Sequence, residues 1–355
     1  MSQKIALVWW GTGGHIVPIL SLVAHLIAPL RQGVVENKQM GEISRDDFFW
    51  IGGQESMEQK KAYEASIRFI SITTHKLTST KSLGVFLYPF KLMQGIFEAR
   101  KILTKEQPML VFSKWWPGSV AVGIAAWTLK IPLYIHESDT VPGFSNKILG
   151  YFASRIFLGF EEAKKWFKKE KTSVVGQILH PRFFEKNPLG TIQWKTNKKH
   201  VFVSCGSQGS RKIFQALIEQ KNNFSNIEWI ISLWTLNQDM RAAFEWFEDA
   251  QIFDWIDQSD IPHILDDADI AITRASATTL AELSTRPIGL MIVPLAISAG
   301  NHQAINAWIY SQWGHSVLSE ENLSHTNIQH IIESLSDIKR QESPARLTPL
   351  LEIFQ

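Results

Sequence analysis

Cysteine is almost absent from the chain, because only Cys205 occurs among 355 residues. A single thiol excludes an internal disulfide and a cysteine-based metal cluster, and it fits a reducing compartment. No apolar run reaches the roughly 18 residues that a membrane-spanning helix requires. The net charge of +2 does not indicate a nucleic-acid partner. The 11 histidines show no paired-ligand spacing, so we predict no bound metal.

Short β-rich runs alternate with longer stretches of helical periodicity in both halves of the chain. The predicted strands of the first half are 4–8, 48–51, 67–72, 109–113, 133–136, 155–158 and 173–175. Those of the second half are 200–205, 229–233, 250–253, 268–273, 289–293 and 316–318. This alternation predicts an α/β fold in which helices cover both faces of parallel sheets.

The length and one interruption of this alternation predict two domains. Residues 177–199 contain two prolines, a glycine and a polar run, and they are interpreted as a linker. We therefore place an N-terminal domain at 1–176 and a C-terminal domain at 200–339.

Two glycine-rich turns follow predicted strands, at Gly11–His15 and at Cys205–Ser210. A glycine turn between a strand and a helix frees backbone N–H groups and presents the positive end of the helix dipole to an anion. Both turns are therefore candidate phosphate sites. The alternative is a plain tight turn between a strand and a helix.

Two polar stretches follow predicted strands in the second half of the chain. In 273–282, TRASATTLAE, Glu282 lies on a helix from which a carboxylate can accept both hydroxyls of a ribose. In 294–307, PLAISAGNHQAINA, Asn301, His302 and Gln303 offer donors and acceptors that suit sugar hydroxyls. Taken alone, each stretch is explained more simply as a capped helix with solvated polar side chains.

In their order and spacing these stretches resemble the MurG family, peripheral glycosyltransferases that complete lipid II in bacterial cell-wall synthesis. The resemblance runs from GTGGHIVP through His136-Glu137, GSQGS and RASATTLAE to NHQAINA, which is essentially the whole chain. It implies a GT-B fold, in which two Rossmann-like domains face a cleft. It also implies that a C-terminal segment, 340–355, packs back on the first domain.

The resemblance implies inverting transfer of N-acetylglucosamine from UDP-N-acetylglucosamine to the C4 hydroxyl of undecaprenyl-pyrophosphoryl-N-acetylmuramoyl pentapeptide (lipid I), without a cofactor. The implied donor-binding residues are Arg182, Ser207, Gln208, Gly209, Arg274, Glu282, Asn301, His302 and Gln303. The implied acceptor-binding residues are Thr12, Gly13, Gly14, Asp139 and Asn146.

Inverting transfer needs a base that takes the proton of the acceptor hydroxyl. His15 suits this role because a free histidine has a pKa of about 6.5, and capping a helix or donating to phosphate is its alternative role. Glu137 is a rival base, with orientation of the substrate as its alternative. Helix N-terminal dipoles stabilise the leaving diphosphate in place of a metal. Asp267-Ala268-Asp269 lies where a helix passes into a strand, and we do not interpret it as a metal motif.

The chain departs from the family pattern at two polar positions. Ser138-Asp139 stands where the family has Gln-Asn after His-Glu, which puts the acceptor or sugar contacts there in doubt. In Gly176–His180 a histidine stands where the family has a phosphate-facing arginine. Arg182 is close enough in sequence to replace that arginine.

Tryptophan stands at family glycine positions: 9, 10, 115, 116 and 234. An indole blocks the backbone approach that phosphate turns require. We hypothesise that these are UGA codons that mean glycine in the source organism. Reading them as glycine raises the glycine share from about 6% to the usual value of about 7%. UGG codons at 9, 10, 115 and 116 would contradict the hypothesis.

Leu83–Phe90 is an apolar and aromatic segment between Lys81 and Lys91. Such a patch suits docking on an anionic membrane surface, and core packing is the alternative. We therefore expect a peripheral protein at the cytoplasmic face of the cell membrane. Two alternative functions remain: another UDP-sugar-dependent GT-B glycolipid transferase, or a UDP-sugar binder that tryptophan in the glycine loops makes inactive. UDP-N-acetylglucosamine 2-epimerases share the fold, but we do not expect GTGGH together with NHQ in them.

Overall fold

The computed structural model describes residues 4–9, 13–27, 43–73, 84–114, 118–185, 188–206, 209–298 and 301–336. The chain divides into two compact units between His180 and Pro181, which we call unit 1 and unit 2. The predicted packing of 340–355 on the first domain lies outside the described residues.

Unit 1 alternates strands and helices from its first strand to its fifth helix. Its strands are β1 (Ile5–Val8), β2 (Phe48–Gly53), β3 (Arg68–Ile72), β4 (Leu110–Ser113), β5 (Leu133–Glu137), β6 (Arg155–Leu158) and β7 (Thr172–Val174). Its helices are α1 (Gly13–Ile27), α2 (Met57–Glu64), α3 (Gly84–Glu106), α4 (Ser119–Thr128) and α5 (Phe144–Phe152). The strand order is β3-β2-β1-β4-β5-β6-β7, and each neighbouring pair is parallel.

The alternation of side chains along β1 explains why helices cover both faces of this sheet. Ile5 and Leu7 pack in one hydrophobic cluster with residues of α1 and α2, and Ala6 and Val8 pack in another with residues of α3, α4 and α5. Because successive strand residues point to opposite faces, an all-apolar strand requires such a double cover.

Unit 2 repeats this architecture. Its strands are β8 (Lys199–Ser204), β9 (Ile227–Ser232), β10 (Ala250–Phe253), β11 (Ile270–Thr273), β12 (Gly289–Ile292) and β13 (Ser316–Val317). Its helices are α6 (Arg211–Glu219), α7 (Arg241–Phe244), α8 (Ile261–Asp266), α9 (Ala277–Leu283), α10 (His302–Ser311) and α11 (Ile328–Ser336). The order β10-β9-β8-β11-β12-β13 is again all parallel.

Both sheets have a topological switch point, between β1 and β4 in unit 1 and between β8 and β11 in unit 2. In open parallel sheets, ligands bind outside the carboxyl ends of the strands at this point. In the sequence, Gly11–His15 follows β1 and Cys205–Ser210 follows β8, while the stretch 273–282 begins at the end of β11. The topology therefore directs the predicted phosphate turns to the expected edge of each sheet.

The predicted α/β class is confirmed, and the predicted strands are confirmed to within two residues of their bounds. The helical periodicity of the sequence also predicts helices at 91–104 and 161–168. The first begins earlier, at Gly84, and the second is a 3-10 turn at Glu161–Trp166. In the described part of the chain, no helix combines the length and apolarity needed to cross a bilayer.

Candidate active site

The loop after β8 is held in a conformation that only glycine adopts readily. Gly206 has a φ of +74° and Gly209 a φ of +66°, and the Gly209 N–H donates to the Gly206 carbonyl at 2.9 Å. A Cβ atom on Gly209 would also lie 2.7 Å from the Leu233 carbonyl oxygen, at the end of β9. The predicted contacts of Ser207 and Gln208 lie outside the described residues.

Arg274 follows β11 and is held by backbone and side-chain acceptors. Its Nη1 donates to the carbonyl oxygens of Val293 at 3.2 Å and Pro294 at 3.4 Å, which follow β12. Its Nη2 lies 2.5 Å from Oε1 of Glu320. The Arg274 side chain is only 10% exposed, so its conformation is fixed before any ligand arrives.

Glu320 lines the same cavity as Arg274, and no sequence motif marks it. Its side chain is 5% exposed, and it joins Arg274 to Lys212, whose Nζ lies 2.7 Å from Oε2. Burial acts to raise the pKa of Glu320, and the hydrogen bonds from Lys212 and Arg274 outweigh it, so the pKa lies below its usual value. The carboxylate is therefore ionised at neutral pH and ties α6 to the end of β11.

These groups surround a cavity of about 510 Å³ within unit 2. The cavity is open at the carboxyl ends of the strands and combines three cationic side chains with the loop that follows β8. Its lining residues are Gly209, Ser210, Arg211, Lys212, Leu236, Asn237, Arg274, Leu295, Ala296, Ile297 and Glu320. A concave site with convergent cations and glycine-loop backbone suits a phosphorylated ligand.

Glu282 lies on α9 and is 8% exposed. Gln258 donates an amide hydrogen bond to Oε1 of Glu282. The Arg182 guanidinium reaches the same loop, because it donates to the carbonyl oxygens of Ser259 at 3.3 Å and Leu189 at 3.1 Å. The structure thus brings Arg182 and Glu282 to one loop, 257–260.

The Asn301–Gln303 stretch begins α10 and is anchored to the loop after β12. Gln303 Oε1 accepts the Leu295 N–H at 3.0 Å, and Asn301 adopts a left-handed conformation with φ +56°. His302 is the first residue of α10. Since Leu295 also lines the unit 2 cavity, Gln303 lies next to it.

In unit 1, Glu137 ends β5 and organises the loop that follows. Its Oε1 accepts the Asp139 N–H at 2.9 Å, and its Oε2 accepts from Gly143 N–H at 3.2 Å and Asn146 Nδ2 at 2.9 Å. The structure therefore brings the predicted residues Glu137, Asp139 and Asn146 together. Burial and the nearby Asp139 carboxylate raise the pKa of Glu137 to about 7, against the effect of these N–H donors.

His136 and Gln177 pack beneath this loop. His136 Nε2 hydrogen-bonds the Gly176 carbonyl at 3.0 Å, and Gln177 Nε2 donates to the Ser138 carbonyl at 2.6 Å. Burial and Lys114 lower the pKa of His136 to about 3, so this imidazole is neutral and a weak base. Ser138, which marks a departure from the family pattern, thus contacts Gln177.

The turn after β1 is described only in part. Gly13, Gly14 and His15 form the start of α1, while the Thr12 backbone and the His15 side chain lie outside the described residues. Trp9, at the end of β1, is fully buried, and the Lys114 ammonium lies 5.3 Å from the centroid of its ring. A buried cation thus lies at the switch point of unit 1.

The Asp267–Asp269 motif lies at the opposite edge of the unit 2 sheet, before β11 begins. Asp269 Oδ2 accepts a hydrogen bond from the His200 backbone N–H at 2.8 Å, so this carboxylate makes a structural contact at the start of the strand. Over the described ranges, no group of three or more histidine, cysteine, aspartate or glutamate side chains is arranged to hold a metal ion.

Comparison with known proteins gives matches to both units. The glycosyltransferase family 28 N-terminal domain matches residues 5–158, and the glycosyltransferase family 28 C-terminal domain matches residues 200–348. A UDP-N-acetylglucosamine–N-acetylmuramyl-(pentapeptide) pyrophosphoryl-undecaprenol N-acetylglucosamine transferase from Clostridium tetani is 31% identical, over 91% of this chain and 87% of the relative. A relative of the same name from Clostridium botulinum (strain Loch Maree) is 30% identical over 99% of both chains.

Solved structures share the two-domain fold. MurG from Acinetobacter baumannii superposes with a TM-score of 0.71 at 20% identity, over 99% of each chain. UDP-GlcNAc 2-epimerase from Neisseria meningitidis, bound to UDP-GlcNAc, superposes with a TM-score of 0.62 at 11% identity, over 99% of each chain. The predicted GT-B fold is thereby confirmed. Because a transferase and an epimerase share it, the fold alone does not identify the reaction.

Proposed function

The chain belongs to glycosyltransferase family 28, and from this membership we propose that it transfers N-acetylglucosamine from UDP-N-acetylglucosamine to lipid I. The product is lipid II, the lipid-linked precursor of peptidoglycan. The observation that carries the proposal is the similarity, over 91% of the chain, to a curated relative whose name states this activity. Both family 28 domains are present in the expected order, which supports it further.

Unit 2 provides the donor site. The diphosphate binds at the loop of Gly206–Gly209, where backbone N–H groups and the amino end of α6 face it, and Ser207 and Gln208 complete the contacts. Arg274 adds a fixed positive charge beside this loop. Glu282 accepts the ribose hydroxyls, and Asn301, His302 and Gln303 contact the sugar. Arg182 lies near Glu282 and supports the loop that carries Gln258.

Unit 1 provides the acceptor site and the base. Both oxygens of Glu137 already accept N–H hydrogen bonds from the loop that follows β5, so we assign this side chain to positioning Asp139 and Asn146 and not to the acceptor hydroxyl. His15 is therefore the base that we propose. It removes the proton of the acceptor C4 hydroxyl while that oxygen attacks C1 of the donor sugar and UDP leaves from the opposite face. Thr12, Gly13 and Gly14 face the acceptor diphosphate.

Helix α3 supplies the contact with the cytoplasmic face of the membrane. Phe90, Met93 and Phe97 are 72%, 54% and 66% exposed, and their spacing places them on one face of the helix. An exposed apolar stripe with Lys91 beside it suits shallow insertion among anionic lipids. The side chains of the segment on which the prediction rested, Leu83–Phe90, lie outside the described residues up to position 88.

Transfer of labelled N-acetylglucosamine from UDP-N-acetylglucosamine to lipid I tests the proposal directly. The assay uses the chain as translated and a variant with glycine at positions 9, 10, 115, 116 and 234, with lipid I omitted as the control. Formation of lipid II by either protein supports the proposal. A lack of transfer by both, with both proteins folded, contradicts it.

The second candidate function is binding of a UDP-sugar without catalysis of transfer. It applies only to the chain with tryptophan at positions 9, 10, 115, 116 and 234. Trp9 favours it, because this large side chain is fully buried directly after β1, immediately before the turn that we assign to the acceptor. Binding of UDP-N-acetylglucosamine by both proteins, with transfer by the glycine variant alone, is the result that it predicts.

A further inference from the structure

The backbone at position 234 has a conformation that tryptophan does not adopt without strain. Trp234 follows the end of β9 and has a φ of +59° with a ψ of 169°. This combination lies at the border of a region that is essentially restricted to glycine, because a Cβ atom there clashes with the neighbouring peptide groups. A non-glycine residue that is forced into such a region destabilises the folded state.

This position differs from another left-handed residue of the same unit. Asn301 has a φ of +56° with a ψ of 26°, which is the ordinary left-handed helical conformation that asparagine tolerates. Trp234 shares the positive φ but has an extended ψ. A bulky aromatic residue in that conformation is a genuine outlier.

The side chain at 234 is poorly accommodated as well. Its indole Nε1 is buried, and no hydrogen-bond partner for it occurs in the described part of the chain. A buried N–H group without a partner loses its hydrogen bond to water and gains nothing in return. Backbone and side chain therefore both disfavour tryptophan here, by independent mechanisms.

The turn that contains position 234 supports the donor loop. Asn237 Nδ2 donates to the Leu233 carbonyl at 3.1 Å, which closes the turn across position 234. The same carbonyl oxygen lies against Gly209, at 2.7 Å from where its Cβ would be. The backbone conformation at 234 thus helps to set the position of the Leu233 carbonyl oxygen, against which Gly209 of the loop after β8 packs.

We infer that position 234 is a glycine position of the donor site, and that the natural protein carries glycine there through a UGA codon translated here as tryptophan. The part of this inference that concerns the donor loop rests on the proposed function. Glycine removes both the strained Cβ and the buried indole N–H, while it leaves the hydrogen bond of Asn237 in place. The observation at 234 is independent of the sequence pattern at positions 9, 10, 115 and 116.

Thermal unfolding of two variants in the full chain tests the conformational part. In ordinary backbone conformations, a protein with glycine at a given position is less stable than the same protein with alanine there. At position 234 we expect the reverse, with the Tm of Trp234→Gly above that of Trp234→Ala by a few degrees, since only alanine retains the strained Cβ. A Tm of Trp234→Ala equal to or above that of Trp234→Gly overturns the inference.

Trp255 provides the matched control in the same unit. It is an exposed loop tryptophan, and it is not among the described residues with a positive φ. At this position we expect the Tm of Trp255→Ala to be equal to or above that of Trp255→Gly, because no strained Cβ is removed. The same reversal at both positions would show a general effect of glycine and would also overturn the inference.

Two further measurements separate this inference from the proposed function. The codon for residue 234 in the source DNA supports the inference if it is UGA and overturns it if it is UGG. Titration with UDP is expected to give a Kd several-fold lower for Trp234→Gly than for Trp234→Ala. If the Tm order holds but neither variant binds UDP, the donor-site assignment fails while the glycine assignment stands.

Discussion

At the scale of single residues, the carboxylate of Glu320 is the least expected part of the cavity to which we assign the donor. It contributes a negative charge to a cavity that we assign to an anionic ligand. Its two partners, Lys212 and Arg274, belong to the segments that follow β8 and β11, and one buried acceptor holds both. We interpret Glu320 as a positioning residue. It partly neutralises the positive charge of the cavity, and it fixes the direction in which the Arg274 side chain points.

Replacement of Glu320 by alanine is expected to raise the KM for UDP-N-acetylglucosamine about tenfold, because a loosely held Arg274 loses ~1.4 kcal/mol of donor binding. The kcat is expected to change less than twofold, since Glu320 is not placed on the reacting atoms. Steady-state kinetics on the active form of the protein measure both. Glu321→Ala, at the exposed neighbouring residue, is the control. A loss of kcat with an unchanged KM would contradict the positioning role.

Glu137 leads to a prediction about pH. Its pKa is raised from 4.5 to about 7 in the folded protein, so the folded state binds this proton more tightly than the unfolded state does. Its contribution to stability is therefore fully present below about pH 4.5 and is lost as the pH rises through about 7.

Denaturant unfolding of the wild type and Glu137→Gln at several pH values measures this contribution. The free energy of unfolding of the wild type, taken relative to that of the variant, is expected to fall between about pH 4.5 and about pH 7.5. Subtracting the variant removes the other titrating groups, which the two proteins share. A relative stability that rises with pH would show that the N–H donors around Glu137 dominate over its burial.

At the scale of elements, α3 offers a test of membrane binding. Phe90→Glu together with Phe97→Glu is expected to reduce sedimentation with vesicles of anionic phospholipid by about tenfold or more, because two charges replace exposed apolar side chains. Tyr151→Glu, at an exposed aromatic residue of α5, is the control. Equal binding by all three proteins would exclude α3 as the docking surface.

The strands were predictable from the sequence because each is a short apolar run, and the parallel order follows from the helices between them. Helix α7 was missed because four residues carry almost no periodicity, and α8 because six residues with Pro262 near the start resemble a turn. The start of α3 was missed because Gly84 and Pro89 indicate interruption. Neither residue ends this helix in the folded unit.

A sequence motif marks only some of the residues that we assign to the site. Arg274 and Glu282 lie in one recognisable stretch after β11, whereas Glu320 and Lys212 are more than 100 positions apart and meet only through the fold. The role of Glu137 in positioning its loop was also invisible, because it depends on three N–H groups that converge in space. Long-range contacts of this kind leave no local pattern.

At the scale of the whole molecule, the six strands of unit 2 follow the same order as β1 to β6 of unit 1, so we expect each unit to have its own ligand-binding edge. We expect UDP to slow hydrogen exchange in unit 2, at 209–212 and 295–297, and to leave β1, β2 and β3 of unit 1 unchanged. Exchange measured by mass spectrometry checks this, with GDP as the control nucleotide. Protection in unit 1 without protection in unit 2 would contradict the assignment of the donor site.

The chain's only thiol belongs to this same edge of unit 2. Cys205 is buried directly after β8, and burial raises its pKa to about 12, against the effect of Arg274. Such a thiol does not react with alkylating reagents while the unit is closed, because the thiolate is the reactive form. The labelling rate of the native protein therefore reports how often the end of β8 opens, and we expect a bound nucleotide sugar to slow it. An unmodified chain thus provides a single-site kinetic probe of its own donor pocket.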